Sequence, residues 1–525
     1  MGLAMHIAVP ARADWRAPLI ALAAALLMLL QATWNNGFPA AFHPDESSKV
    51  GQILRGEYDF HHPLLMLRAT QLLVDWDGAG DDPEHIVRTG RQVSALAAAG
   101  AVLCLVLVAA LLAGNVAALA AGLLLVSNHA LFELAHYFKE DTMLLFGIAA
   151  FLLALLLYQR APTVGRAVLL GAVLGLAVSA KYTALILVPA AVLVIPLLAA
   201  GATRIRQLAG CFLAAASVAL LVNWPALSQL ATFRDSFVRE LQLAAGGHQG
   251  IGRSVPHGYY IWLAWTSTNA VVWTLIALYL GGLWLRRRAV GLAEWMIAAF
   301  PFGFALLLSF FSQVSFRYYL PGTAVLLVLA ALGAADLGRL RWAGRPLFAP
   351  VRSWQVTAAV VALAVAVQVP TLVAYHDGFV RDTRSRLADY LLEHVPPGTP
   401  LAEDNGVKLQ AFDLPYPLQR SRFVADLGSL DELRAHGVRY VAVTRRRYGR
   451  LFLPNAAANA DADAARRRAF YQHLFAEGKL MFEAPQGPVK YLEPHLALYR
   501  LPDALPAADD GARISGAASN RMTAQ

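Results

Sequence analysis

Between residues 17 and 375 the chain passes again and again through about twenty mostly apolar residues, the length a helix needs to cross a bilayer. About eleven such segments are read, at 17–34, 91–113, 115–133, 141–158, 165–180, 183–200, 207–228, 258–285, 292–312, 318–336 and 354–375. Hydrocarbon offers the backbone no partners, so each segment must satisfy its own N–H and C=O groups, as a helix does. Composition agrees. The chain is 58% hydrophobic and 15% charged, where a soluble chain carries about a quarter charged residues. The fold class expected is an all-α polytopic membrane protein, followed by a C-terminal α/β domain.

The net charge of +9 does not point to nucleic acid, because the arginines gather at segment ends, as orientation signals do. Arg12 and Arg16 precede the first segment; Arg160 and Arg166 separate the fourth from the fifth. Arg204 and Arg206 follow the sixth, Arg286, Arg287 and Arg288 the eighth, and Arg339, Arg341 and Arg345 the tenth. With eleven crossings all of them fall on one side, which the positive-inside rule makes the cytoplasm. The first segment reads as a retained span, since no clear small-residue cleavage site follows Leu30. Cys104 and Cys211 lie inside apolar segments, which indicates neither a disulfide framework nor a zinc site.

The opposite face then receives the long loop 35–90, the turn HYFKED at 136–141, the loop 229–257 with GGHQGIGRS, and everything after about 376. The C-terminal part changes composition. A helix at 384–394 ends before Pro396-Pro397, and Ser429 to Glu432 form a capping box. A strand is expected at 437–444, an amphipathic helix at 463–475 and a closing strand at 496–501. The tail from Asp503 is rich in Ala, Asp and Gly and reads as disordered. The domains expected are 1–375, 376–502 and a 503–525 tail. No inverted repeat is visible, which disfavours the transporter folds built on one.

Charges near a bilayer are costly, so they carry the functional hypotheses. On the outer face stand Asp45 and Glu46 in FHPDESSKVGQI, then Lys139, Glu140 and Asp141, then Lys181, Arg317 and the pair His61-His62. A carboxylate beside apolar surface is partly desolvated and more basic, which suits Asp45 to accept a proton. The simpler reading is an ordinary charged loop. Asp141 at a helix start suits the helix dipole, but this does not explain why three charges crowd there. Lys181 and Arg317 run against the positive-inside rule. Together these cations make a pocket for an anion such as a lipid phosphate. A metal held by His61 and His62 with Asp45 and Glu46 is not favoured, because adjacent side chains point apart. HHPLLML instead starts an interfacial helix with Pro63 in its first turn.

With HPDE in the first outer loop, GEYDFHHPLLMLRATQLL after it, KEDTMLLF, GLAVSAKYTALILVP and SFRYYLPGTA, in that order over roughly 15–335, the chain resembles the GT-C superfamily of polytopic glycosyltransferases. The branch it resembles holds protein O-mannosyltransferases and the lipid A aminoarabinose transferase. The resemblance implies transfer of one sugar, with inversion, from a polyprenyl-phosphate donor to an acceptor on the periplasmic face of a bacterial inner membrane. It implies Asp45 as general base with Glu46 beside it, and Asp141 shaping the same site. Lys181 and Arg317 would meet the donor phosphate, with Lys139 close by. His43, Glu140, His61, His62 and Tyr318 are further candidates. No cofactor is expected and no metal is favoured; sugar and acceptor stay open. Tyr182 after Lys181 departs from the glycine many relatives carry. No tryptophan-tryptophan-aspartate run occurs, which argues against the oligosaccharyltransferase branch. The alternatives are an O-antigen ligase or polymerase, for which Arg234, Arg239 and Arg253 speak, and a lipid-linked sugar flippase.

Overall fold

The computed structural model describes residues 14–39, 42–78, 80, 82–246, 256, 258–287, 290–312, 314–339, 352–452 and 462–502, with the backbone of 6–7, 340–342 and 345–346. The chain divides into two compact units, Met1–Phe379 and Val380–Gln525.

The first unit is helical. In order it holds α1 (Arg16–Thr33), α2 (Glu46–Arg55), α3 (Leu65–Asp77), α4 (Pro83–Ala113), α5 (Asn115–Val126), α6 (His129–Ala135), α7 (Glu140–Arg160) and α8 (Val164–Ala180). Then come α9 (Val188–Leu198), α10 (Thr203–Asn223), α11 (Pro225–Ser228), α12 (Leu230–Gly246), α13 (Tyr259–Thr266), α14 (Ala270–Leu285), α15 (Leu292–Ser309), α16 (Leu320–Gly338) and α17 (Ser353–Val380). A three-stranded antiparallel sheet pairs β1 (His6–Ile7) with β2 (Leu340–Trp342), and β2 with β3 (Arg345–Pro346).

Among the described residues, 7 helices are long and apolar enough to cross a membrane. The pair α5 and α6, bent by 63°, makes up to 8 if read as one broken span. Three shorter apolar helices, Val164–Ala180, Tyr182–Leu198 and Ala270–Leu285, complete the set. Each of the eleven expected segments falls on these helices. Burial sorts them: the span Phe316–Gly338 is 94% buried in the protein, Thr203–Asn223 only 11%. Apolar side chains exposed on α10, such as Leu213 and Leu221, belong to a surface made for lipid.

Small residues bring the helices close. A Cβ on Gly171 would stand 1.9 Å from the Cys211 carbonyl oxygen, and one on Gly175 would stand 2.4 Å from that of Ala215. Two glycines four apart thus let α8 lie directly on the backbone of α10, the packing used where no hydrophobic force draws helices together.

Three expectations change in detail. The segment 258–285 is two helices broken at residues 267–269, where Asn269 accepts from the Val272 N–H and starts α14 afresh. The loop 229–257 is helical over Leu230–Gly246; Arg253 lies outside the described residues. Pro63 stands just before α3, not in its first turn.

The second unit packs α18 (Thr383–His394), α19 (Leu430–Ala435), the short α20 (Arg445–Tyr448) and α21 (Ala462–Glu477) with a five-stranded sheet. Its strands are β4 (Leu401–Asp404), β5 (Leu418–Ser421), β6 (Tyr440–Thr444), β7 (Lys479–Ala484) and β8 (Leu496–Arg500), in the order β5-β4-β6-β8-β7. β5, β4 and β6 run parallel; β8 returns antiparallel to β6, and β7 pairs antiparallel with β8 and so runs in the direction of the first three. Ser429 and Glu432 make the expected capping box. β4, β5 and β7 were not expected. The tail from Asp503 lies outside the described residues.

Candidate active site

Asp45 holds the residue before α2, where an aspartate ordinarily caps the helix with its own carboxylate. It makes no such bond. Its carboxylate turns to Lys139, with which it forms a short ion pair, and to Arg317 at 3.5 Å. α2 stops at Gly56, whose φ of +65° is the left-handed turn that glycine takes without cost. The loop beyond is tied back by Gln52, which exchanges bonds of 3.0 and 3.1 Å with Asp59.

Lys139 precedes α7, and Glu140 and Asp141 fill that helix's first turn, where the dipole favours negative charge. Lys139 also lies 3.5 Å from Glu140, whose other oxygen pairs closely with Lys49 of α2. Asp141 accepts from Lys181 at 2.8 Å and lies 3.9 Å from Arg317. Lys181 ends α8, and Arg317 sits in the 3-10 turn Phe316–Tyr319 that leads into α16. Tyr318 stands under both cations, 4.7 Å from the Lys181 ammonium and 5.6 Å from the Arg317 guanidinium.

Four elements thus meet: the start of α2, the start of α7, the end of α8 and the turn before α16. In the cluster four cations, Lys49, Lys139, Lys181 and Arg317, face three carboxylates, Asp45, Glu140 and Asp141, leaving one positive charge in excess. His62, with Nε2 3.8 Å from Glu140, is pushed down to about 3 by burial and stays neutral. Burial opposes ionisation of Asp45, but Lys139 and Arg317 outweigh it and hold the carboxyl well below the usual range. The expectation that apolar surroundings make Asp45 more basic therefore does not describe this state of the site: the two cations reverse it.

The carboxylates differ in access. Asp45 has a side-chain exposure of 37%, against 2% for Glu140, 1% for Asp141 and 0% for Glu46. Glu46 points the other way from its neighbour. Both its oxygens are bound by Arg91 of α4, at 3.0 and 2.6 Å, and one also accepts from the Phe138 N–H. Arg91 in turn donates to the carbonyls of Asn36 and Phe38 and stacks 3.5 Å over the Phe38 ring. This buried pair clamps α2 to α4 and to the turn that carries Lys139.

The histidines separate. His43 is buried against Tyr137, ring centres 4.7 Å apart, and accepts from the Asp45 N–H at 3.3 Å. Burial holds its ring well below the usual range, hence neutral. His61 meets Glu240 of α12 at 2.7 Å. Phe60 against Phe233 at 5.7 Å, and Tyr182 against Phe237 at 5.2 Å, bind the same helix. Among the described residues no three His, Cys, Asp or Glu side chains converge in a way that would hold a metal ion. Of the outer arginines weighed earlier, Arg234 pairs with its own neighbour Asp235 at the surface.

Two members of the cluster region escaped the sequence reading. Lys49 stands four residues after Asp45, one helical turn away. Arg91 breaks the same positive-inside expectation that singled out Lys181 and Arg317.

Residues 87–228 match the family model described as dolichyl-phosphate-mannose-protein mannosyltransferase. No curated protein matches the chain. Among solved structures, ArnT from Cupriavidus metallidurans bound to undecaprenyl phosphate is 15% identical and covers 91% of this chain and 97% of its own, with a TM-score of 0.53. The chain has a GT-C fold. The same ArnT in its apo state aligns at 15% identity over 91% and 97%, with a TM-score of 0.50. The archaeal oligosaccharyltransferase AglB from Archaeoglobus fulgidus, in complex with an inhibitory peptide and a dolichol-phosphate, is 12% identical over 83% of this chain and 71% of its own, TM-score 0.48. Within the GT-C fold the resemblance is to the mannosyltransferase and ArnT branch.

Proposed function

We propose that this membrane protein is a glycosyltransferase that moves one sugar from a polyprenyl-phosphate donor to an acceptor hydroxyl or amine on the outer face, with inversion. The observation that carries the reading is the open Asp45 carboxylate set among cations that exceed the cluster's carboxylates by one charge. The family match over 87–228 and the GT-C fold support it.

In this mechanism the acceptor oxygen or nitrogen attacks the anomeric carbon as the bond to the phosphate oxygen breaks. The acceptor's proton passes to Asp45. The electron pair of the broken bond leaves on polyprenyl phosphate, where Lys181, Arg317 and Lys139 meet the growing negative charge. Binding and basicity are coupled. Lys139 and Arg317 suppress the basicity of Asp45 while they rest on it; a donor phosphate competes for them and frees the carboxylate to take a proton. Asp141 and Glu140 hold Lys181 and Lys139 in place, and Glu46 positions rather than reacts. The cations perform the phosphate's charge stabilisation, so transfer is expected to proceed in the presence of EDTA.

The test is a transfer assay in membranes with a panel of radiolabelled polyprenyl-phosphate sugars, with and without EDTA. Asp45→Asn is expected to lower turnover by roughly 10²–10⁴-fold with donor binding retained. Equal turnover by wild type and Asp45→Asn would remove Asp45 from the chemistry.

A further inference from the structure

The second unit has a cleft of its own. It lies beyond the carboxyl ends of the parallel strands β5 and β4, has a volume of about 370 Å³, and is lined by Asn405, Lys408, Gln410, Arg420, Ser421 and Arg422. Open parallel sheets bind ligands beyond the carboxyl ends of their strands.

The lining is one-sided in charge: three cations and no carboxylate. The acids nearest in sequence do not balance them. Asp404 is fully buried and spends its oxygens on the Val424 N–H, the Thr444 N–H and the Tyr471 hydroxyl, tying the end of β4 to the turn after β5, to the end of β6 and to α21. Glu403 is also fully buried, and burial pushes it up to about 7, so much of it is neutral near neutral pH. Lys408 holds a left-handed backbone, φ +69°, which costs a side-chain-bearing residue energy. Burial, then Arg384, Arg447 and Arg420, lower its ammonium. Arg447, just after β6, is half-buried with its Nε lacking a hydrogen-bond partner among the described residues. Like charges are crowded here at a standing cost, and a bound anion would relieve it.

We propose that this cleft binds a phosphomonoester, with Arg420 and Arg422 clasping its oxygens and Lys408 neutralising its second charge. The phosphate of a soluble sugar phosphate and that of a lipid phosphomonoester such as phosphatidic acid share this chemistry. The proposal does not depend on the transfer reading.

Hydrogen exchange on the full chain in nanodiscs locates the binding. Inorganic phosphate or a sugar 1-phosphate, added to neutral phosphatidylcholine discs, is expected to protect peptides spanning 404–424. Protection without soluble phosphate, in discs containing phosphatidic acid, a lipid phosphomonoester, assigns the site to a lipid headgroup. Either result supports the site and names its source. In Arg420→Ala/Arg422→Ala the ligand concentration for half-protection is expected to rise about tenfold or more; in Lys181→Ala it is expected to stay unchanged. No protection with any probe, or equal protection in the double variant, overturns the proposal. Because exchange is read without turnover, an inactive transfer site leaves the result interpretable.

Discussion

Glu46 and Arg91 are buried in mutual contact, and their energetics differ from those of the open carboxylate next door. Removing one member of such a pair leaves an uncompensated charge and costs about 3–5 kcal/mol, whereas replacing both with apolar groups costs far less. Glu46→Gln is therefore expected to lower the thermal midpoint strongly, and Glu46→Leu/Arg91→Met to recover much of it. Thiol labelling of Cys104 and Cys211, both buried, reports the unfolding. Asp45→Asn removes a carboxylate that Lys139 and Arg317 hold ionised, at a partly open position, and should lower that midpoint less than Glu46→Gln does while turnover falls. Adjacent carboxylates in HPDE looked alike in the sequence. A single residue's step, about 100° around the helix, sends one into the core and leaves the other at the pocket, and spacing alone does not say which. The arginine that decides it stands 45 positions away.

At the scale of elements, α8 carries Lys181 at its end and lies on α10 through Gly171 and Gly175. A methyl group on Gly171 meets backbone, which cannot swing aside. Gly171→Ala is expected to cost about 1–3 kcal/mol and to reduce transfer by displacing Lys181, without touching the pocket. Gly165→Ala, where nothing stands within 4 Å, is the control and should behave as wild type. In the second unit, Glu403 titrates near 7 against 4.5 in an unfolded chain, because burial disfavours its charge. The folded form thus holds the proton more tightly. Its stabilising share is complete below pH 4.5 and is lost as pH rises through 7. Hydrogen exchange of the β4 amides should accelerate over that window, by at most about 3 kcal/mol in opening energy, and Glu403→Gln should flatten the trend. The apolar helices were legible because twenty apolar residues leave few alternatives. β4, LAED, was not: four residues ending in two acids carry no alternating apolar pattern, and only the donors from other elements allow Asp404 to be buried. The break at 267–269 hid for the opposite reason, since residues on both sides are apolar enough to read as one span.

For the whole molecule, the arginine pattern and the pocket make a joint demand on orientation. The proposed chemistry needs α2 on the outer face and the turn between α7 and α8 in the cytoplasm. With Cys104 and Cys211 replaced by alanine, Ser47→Cys is expected to react with an impermeant maleimide in intact cells and Gly165→Cys only after permeabilisation. The reverse pattern would place the pocket on the wrong side for a periplasmic donor.

The ion pairs of the pocket also span the chain very unevenly. Lys181 is 40 positions from Asp141, Lys49 is 91 from Glu140, and Lys139 is 94 from Asp45. Arg317, which touches both Asp45 and Asp141, comes after all of them. During synthesis the ribosome delivers the carboxylates and lysines first and the arginine last. Until it arrives, the ring lacks the cation that touches both Asp45 and Asp141. Closure of the pocket is consequently a late event in biogenesis, since it waits for the turn before α16 to be made.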